Sequence, residues 1–310
     1  MKLAVIGSGG VGGYFGGRLA QAGHDVTFVA RGAHLAAMRE GGLRVFSIEG
    51  DFAIPDAKAT DDPAAIGNVD VVLLAVKTWQ VADAAERLAP LLGPASAVLT
   101  LQNGVEAPDE VARVCGREPV IAGVCRLMSY LAEPGVIRHA GVTPKVELGE
   151  WAGGMSPRAE ALGKALNDCT GVAATVSDDI AVTLWEKFLF IAPFSAVGAA
   201  ARKPAGAWRH VKETRALLAA AMNEIVDLAR ARGVNVAREA VDKTLAFADK
   251  LPEDATASMQ RDLLEGRPSE LEAQTGAIVR LGREAGVPTP ANAFLYAVLL
   301  PSERQARGLF

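Results

Sequence analysis

Three groups of residues in this 310-residue chain could do chemistry. The first is Gly7-Ser8-Gly9-Gly10-Val11-Gly12, a G-x-G-x-x-G run directly after the apolar segment Leu3–Ile6. In that pattern the first glycine permits a tight strand-to-helix turn. The second lets backbone approach a pyrophosphate, and the third lets the next helix pack on the sheet. The helix N-terminus then offers N–H groups to the anion. A glycine-rich turn without ligand is the bland alternative. The position after one apolar run, before the small-residue stretch Gly12–Ala22 and a second run, favours a dinucleotide. The second group closes that second run: Val29-Ala30-Arg31. An NAD site usually places a carboxylate there for the ribose 2′-hydroxyl. An arginine instead pairs with a 2′-phosphate, so NADP(H) is expected over NAD(H), with an ordinary surface arginine as the alternative. Two more strand ends carry polar residues, Lys77 after Leu73–Val76 and Asn103 within Gln102-Asn103-Gly104. Ligands bind at such ends, although Asn-Gly is equally a plain turn.

The third group is a lysine in an apolar setting. At about 100° per residue, Leu184, Phe188, Ile191 and Ser195 share one helical stripe, and Lys187 falls on the arc between Ile191 and Phe194. Such a lysine can snorkel to water or pair with a carboxylate. Held in a cleft it is a proton donor. Glu270 follows Pro268-Ser269 and has its own plain reading, a first-turn carboxylate that complements a helix dipole.

These groups need elements to hold them. Short continuous apolar runs at Leu3–Ile6, Val26–Val29, Val69–Val76, Ala97–Leu101, Val120–Val124 and Lys145–Leu148 have the composition of buried parallel strands. Helix-like stretches such as Trp79–Leu92 separate them, which predicts an α/β fold with a Rossmann-type doubly wound sheet over residues 1–177. Glu133-Pro134-Gly135 predicts a late hairpin. From 178 to 310 only helices are expected: Asp179–Ala199, Val211–Arg232, Arg238–Lys250, Ala255–Leu264, Ser269–Ala285 and Ala291–Leu300, with breaks at proline and glycine. The expectation is an NADP-binding domain, then an all-helical substrate domain, with a cleft between them.

Composition narrows the partners. Half of the chain is hydrophobic and 22% is charged, enough for two cores at about 150 residues per domain. The net charge of −4 argues against nucleic acid or an anionic membrane as partner. Three cysteines without a C-x-x-C pair and four isolated histidines suggest neither disulfides nor a metal site. No apolar run reaches the ~18 residues of a membrane span, and the N-terminal apolar stretch is short for a signal peptide. A cytoplasmic protein is expected, with a homodimer left open.

The order and spacing of these pieces resemble the ketopantoate reductase (2-dehydropantoate 2-reductase) family over nearly the whole chain. The likeness rests on Gly7–Gly12 with Arg31, Val76-Lys77-Thr78-Trp79-Gln80, Gln102-Asn103-Gly104, Leu184-Trp185-Glu186-Lys187, and Ser258-Met259 with Glu270. The resemblance implies reduction of a 2-oxo acid with NADPH. It implies Lys187 as proton donor with Glu270 beside it, Gly7, Ser8, Gly9, Gly10, Val11 and Gly12 around the pyrophosphate, and Arg31 and Lys77 on the 2′-phosphate. Asn103 would touch cofactor and substrate, while Ser258 and Ser195 would bind substrate. The family's asparagines four, eight and eighteen residues after the lysine are replaced here by Ile191, Ser195 and Ala205. That departure leaves two substrates in view, ketopantoate or a less polar 2-oxo acid or ketone. A non-catalytic NADP(H) sensor is the rival class; it would need the glycine run and Arg31 but not Lys187 and Glu270.

Overall fold

The computed structural model describes residues 1–310. The chain divides into two compact units, one of residues 1–102 and 106–183, the other of residues 103–105 and 184–310. The first unit is built on one sheet of ten strands: β1 (Lys2–Ile6), β2 (Asp25–Val29), β3 (Leu43–Ser47), β4 (Phe52–Ile54), β5 (Lys58–Thr60), β6 (Val69–Leu74), β7 (Leu92–Thr100), β8 (Val120–Glu133), β9 (Val136–Glu150) and β10 (Ala173–Val176). Their order is β4-β3-β9-β8-β7-β6-β1-β2-β5, with β10 alongside β9. The pairs β1–β2, β1–β6, β6–β7 and β7–β8 are parallel. These are the continuous aliphatic runs, buried on both faces because helices cover both sides. One core, with Tyr14, Phe15, Phe28 and Leu43, lies under helix α1 (Gly10–Gln21); another, with Val72, Leu74, Val81 and Leu88, lies on the opposite face.

The expected hairpin is present: β8 and β9 pair antiparallel around Pro134-Gly135, with Gly135 at φ 78°. Four strands escape the sequence reading. β4 and β5 have three residues each, β10 has four, and β3 alternates buried and exposed residues rather than forming an apolar run.

Where β9 turns into the next helix, Pro157–Asn167, one carboxylate organises the corner. Glu150 accepts from Ser156 Oγ at 2.5 Å and from Arg158 Nε and Nη2 at 2.7 and 2.6 Å. Ser156 in turn caps the helix by accepting from Ala159 N. Burial alone would raise the Glu150 carboxyl, but the bonds from Arg158 and Ser156 outweigh it and hold its pKa below the ordinary value. A carboxylate with a depressed folded-state pKa contributes stability that is present above the ordinary value of ~4.3 and lost as pH falls through the lower folded value. Glu150→Gln is therefore expected to cost about 1–3 kcal/mol at pH 7, and the gap should start to narrow below about pH 4 and close as the pH passes the lowered folded value. Denaturant melts of both proteins across pH 3–7 check this; a gap that persists unchanged at the acid end contradicts it.

The second unit is helical. It holds most of α6 (Ile180–Ala201), then α7 (Ala205–Trp208), α8 (Lys212–Ala231), α9 (Ala240–Asp249), α10 (Ser258–Leu264), α11 (Ala277–Ala285) and α12 (Pro290–Ala306), where α2 to α5 denote Gly32–Gly41, Val81–Glu86, Ala107–Cys115 and Pro157–Asn167. The unit boundary falls inside α6, between Thr183 and Leu184. Three details depart from expectation. First, α6, which runs through Pro193 as expected, is by length and composition apolar enough to cross a membrane, although no run of that length was expected. Its run from Phe188 to Ala199 is mostly buried, as in the core helix of a folded unit. Second, the expected helix Ser269–Ala285 opens with a π-helical stretch, Glu272–Gly276, before α11. Third, α12 does not stop before Pro301 but runs on to Ala306. A proline clashes with the carbonyl four residues back. Here that residue is Ala297, and both it and Pro301 are exposed, so water can serve the freed carbonyl.

Candidate active site

In the first unit the glycine run joins the end of β1 to α1. Gly7 has φ 95°, and a Cβ there would come within 2.7 Å of Val76 N. A side chain on Gly12 would collide with the Gly7 carbonyl. Both positions are closed to any other residue. Gly9 is the opposite case: nothing lies within 4 Å of where its Cβ would be. It is the N-cap of α1, and no side chain caps this end and no acid lies in the first turn. The first-turn N–H groups and an open approach over Gly9 therefore form a cradle that fits a pyrophosphate. Gly10 has a second duty, since a Cβ there would press on the Ser129 carbonyl at 2.5 Å. Ser8 is buried and donates through Oγ to the Val29 carbonyl at 2.9 Å, tying the loop to the end of β2. Val11, partly buried, packs against the core under α1.

The loop is flanked by cations. β6, β1 and β2 are adjacent in the sheet. Arg31 lies just beyond β2 and is exposed, in extended backbone ahead of α2. Lys77 lies just beyond β6, also exposed, with Nζ 5.9 Å from the Trp79 ring centroid. Sequence reasoning missed His34, which fixes the loop from behind. Its Nε2 contacts the Ser8 carbonyl at 2.8 Å, and Gly135 N donates to its Nδ1 at 3.0 Å. Because Nδ1 accepts, Nε2 carries the proton and donates to Ser8.

In the second unit, three residues far apart in sequence form one hydrogen-bonded chain. Lys187 Nζ donates to Asn103 Oδ1 at 2.8 Å, and Asn103 Nδ2 donates to Glu270 Oε2 at 3.0 Å. Glu270 is 7% exposed, and Lys187 and Asn103 are partly buried. The lysine does not pair directly with Glu270; an amide stands between ammonium and carboxylate. The amide's orientation is set by its neighbours, with its oxygen toward the donor and its nitrogen toward the acceptor. The glycine after Asn103 is required. Gly104 has φ 93°, and a Cβ there would come within 2.7 Å of the Ala273 carbonyl in the π-helical stretch. Asn103-Gly104 is thus a close-approach element and not only a turn. Gln102, which precedes it, is a sheet tie: its Nε2 donates to the carbonyls of Leu74 and Val76.

Ser195 and Ser258 stand outside the Lys187–Asn103–Glu270 chain. Ser195 is fully buried in α6, and its hydroxyl has no hydrogen-bond partner. Ser258 is partly buried at the first position of α10. Ile191 is half-buried, and Ala205 is fully buried at the start of α7.

A doubly wound sheet with a glycine-rich phosphate turn, followed by a helical unit with a Lys–Asn–Glu chain, defines a two-unit protein of the dinucleotide-binding type. The comparisons with known proteins narrow the class. The model for ketopantoate reductase PanE/ApbA matches residues 3–153, and that for its C-terminal part matches residues 179–303. A 2-dehydropantoate 2-reductase of Mesorhizobium japonicum is 33% identical, covering 94% of each chain. The crystal structure of 2-dehydropantoate 2-reductase from Geobacter metallireducens superposes with a TM-score of 0.90 at 32% identity, over 97% of this chain and 100% of that one. At 22% identity, D-mandelate dehydrogenase, solved as a ternary complex with NADH and anilino(oxo)acetate, shares the fold, with a TM-score of 0.88 over 99% of each chain. The chain belongs to the ketopantoate reductase family, a family of oxidoreductases acting on CH–OH groups.

Proposed function

We propose that this protein is an NADPH-dependent reductase that converts a 2-oxo acid to the 2-hydroxy acid, with 2-dehydropantoate to pantoate, a step of pantothenate biosynthesis, as its leading reaction. The observation that carries the reading is the Lys187–Asn103–Glu270 chain. Bound NADPH supplies the hydride that reduces the ketone carbon. Lys187 spends one N–H on Asn103 and directs another at the ketone oxygen, which it protonates as negative charge develops there. Asn103 fixes the ammonium. Glu270 holds the amide through one carboxylate oxygen and accepts a substrate hydroxyl through the other. Ser258 binds the substrate's polar end; the Ser195 hydroxyl, fully buried and without a partner, takes a substrate hydrogen bond only with a local opening of α6. Gly7 to Gly12 hold the pyrophosphate, and Arg31 and Lys77 pair with the 2′-phosphate. A cytoplasmic setting is in keeping with three free cysteines, of which buried Cys169 has its thiol pushed up to about 11 by burial.

A second substrate reading has its own observation. Ile191 and Ala205 offer no hydrogen bonds where family members carry asparagine, and Ser195 alone keeps a polar group. Sites that hydrogen-bond a substrate hydroxyl reject analogues lacking it by roughly 10⁴–10⁵, whereas apolar pockets discriminate weakly. The protein should therefore separate ketopantoate from 2-oxoisovalerate by less than about a thousandfold in kcat/KM, and Ile191→Asn should raise the ketopantoate value selectively. NADPH oxidation measured with a panel of 2-oxo acids tests both readings. Turnover of ketopantoate with a wild-type preference well above a thousandfold would sink the second, and no turnover of any 2-oxo acid would sink the first in favour of a cofactor sensor.

A further inference from the structure

Glu270 does not stand on an ordinary helix. It enters the π-helical stretch Glu272–Gly276, where Gly276 N donates to the Leu271 carbonyl at 2.9 Å, five residues back. Stretches of this kind lose the regular ladder and need outside support to keep one geometry. Beyond the Asn103–Glu270 bond and the close approach of Gly104 to Ala273, side-chain support comes from α12 and from Arg307 just past its end.

The first anchor is Glu303, whose side chain is 2% exposed. Its carboxylate accepts from Ser269 N at 3.2 and 3.0 Å and from Ser269 Oγ at 2.5 Å. Arg307, one turn on, donates to Glu303 Oε1 at 2.5 Å and to the Ser269 carbonyl at 2.9 Å. Ser269 is fully buried, and its hydroxyl also accepts from Leu271 N at 3.2 Å. Ser269, immediately before Glu270, is thus held at its N–H, its hydroxyl and its carbonyl. The second anchor is Tyr296, which donates to Glu272 Oε1 at 2.6 Å and lies within 3.1 Å of where a Gly276 Cβ would be. Burial, then the bond to Glu272, push the Tyr296 phenol up to about 12, so it remains a donor at any working pH.

A buried carboxylate is costly unless fully satisfied, and removing one partner of a buried pair is strongly destabilising. Two plain hydrophobic contacts could dock α12 at less risk. The polar arrangement differs from them in one respect: it fixes backbone position and direction, residue by residue. We propose that Glu303, with Arg307 and Tyr296, is a positioning device that sets the backbone of Ser269–Gly276 and through it the aim of the Glu270 carboxylate at Asn103 and Lys187. The inference rests on the reductase reading for its kinetic consequence and on geometry alone for its structural one.

Two measurements decide it, on Glu303→Gln and, in case that buried change impairs folding, on Tyr296→Phe. The first is amide hydrogen exchange, which needs no substrate. The amides of residues 269–276 should exchange roughly tenfold faster while those of α8 keep their wild-type rates. Unchanged exchange at 269–276 in both variants, or equal acceleration across the unit, overturns the proposal even if the protein proves not to be a reductase. The second is a double-mutant cycle with Glu270→Gln. Glu303→Gln alone should lower kcat roughly 10–100-fold, with NADPH affinity held within about twofold. Added to Glu270→Gln it should lower kcat by less than about twofold. The same kcat loss in both backgrounds would mean that Glu303 supports the fold without acting through Glu270, and the proposal would fall. If the wild type turns over no 2-oxo acid, the reductase reading fails and the exchange result alone decides the positioning.

Discussion

Lys187→Ala is expected to lose roughly 10²–10⁴-fold in kcat, the usual contribution of a positioned general acid, while NADPH affinity stays near the wild-type value. The split follows from placement. Lys187 lies in α6 of the helical unit, bonded to Asn103, whereas the glycine run, Arg31 and Lys77 all belong to the sheet unit. Asn103→Ala should fall in the same direction but less far, because it removes the amide that fixes the ammonium and leaves the proton source in place. Steady-state kinetics on the best 2-oxo acid, paired with NADPH titration by fluorescence, reads both quantities. A Lys187→Ala protein with near wild-type turnover would remove the lysine from the mechanism, and a matching loss in cofactor affinity would reassign it to binding.

Arg31→Ala is expected to weaken NADPH binding by roughly tenfold to a hundredfold and to leave NADH binding almost unchanged. The basis is the loss of one charge-assisted contact, worth ~1.5–3 kcal/mol. Arg31 is exposed at the end of β2, and no carboxylate sits at that strand end to accept a ribose hydroxyl. The contact is also expected to weaken with added salt, since exposed ion pairs are screened. Lys77→Ala should act in the same sense from the end of β6. Equal losses for the two cofactors would show that Arg31 holds a part common to both, and the preference for NADPH would have to be carried elsewhere.

The sequence announces the parts whose physics is local. Continuous aliphatic runs reveal β1, β2, β6 and β7 because strands buried on both faces need no polar alternation. Pro134-Gly135 marks the hairpin because few other residue pairs turn so tightly. The glycine run reveals the phosphate turn, and the structure supplies the collisions at Gly7 and Gly12 that make glycine obligatory there. What the sequence conceals is long-range. Lys187 and Asn103 are 84 residues apart and Asn103 and Glu270 are 167 apart, so no helical stripe or strand end could show that one amide bridges them. Resemblance to a family suggested the three residues, and the geometry shows how they connect. Glu303 was hidden for a different reason. Pro301 suggests a helix end, and Glu303 with Arg307 reads as an ordinary exposed pair one turn apart. Only the tertiary fold shows that this carboxylate is buried against Ser269. The π-helical stretch is equally silent, because Leu271 to Gly276 has the composition of an unremarkable helix. His34 could have been noticed three residues past Arg31, but nothing local marks it as a partner of the Ser8 carbonyl.

The proposed reaction moves a hydride from NADPH to the carbon of a 2-oxo acid. The most direct measurement is a single turnover with NADPH deuterated at nicotinamide C4, each diastereomer in turn, and excess ketopantoate or 2-oxoisovalerate. The 2-hydroxy acid is then recovered for mass spectrometry and NMR. One deuterium is expected at C2 of the product from one diastereomer and none from the other, with at least 10²-fold slower product formation in Lys187→Ala. Recovery of unreduced 2-oxo acid with intact deuterated cofactor, or of hydroxy acid without deuterium at C2, would contradict it.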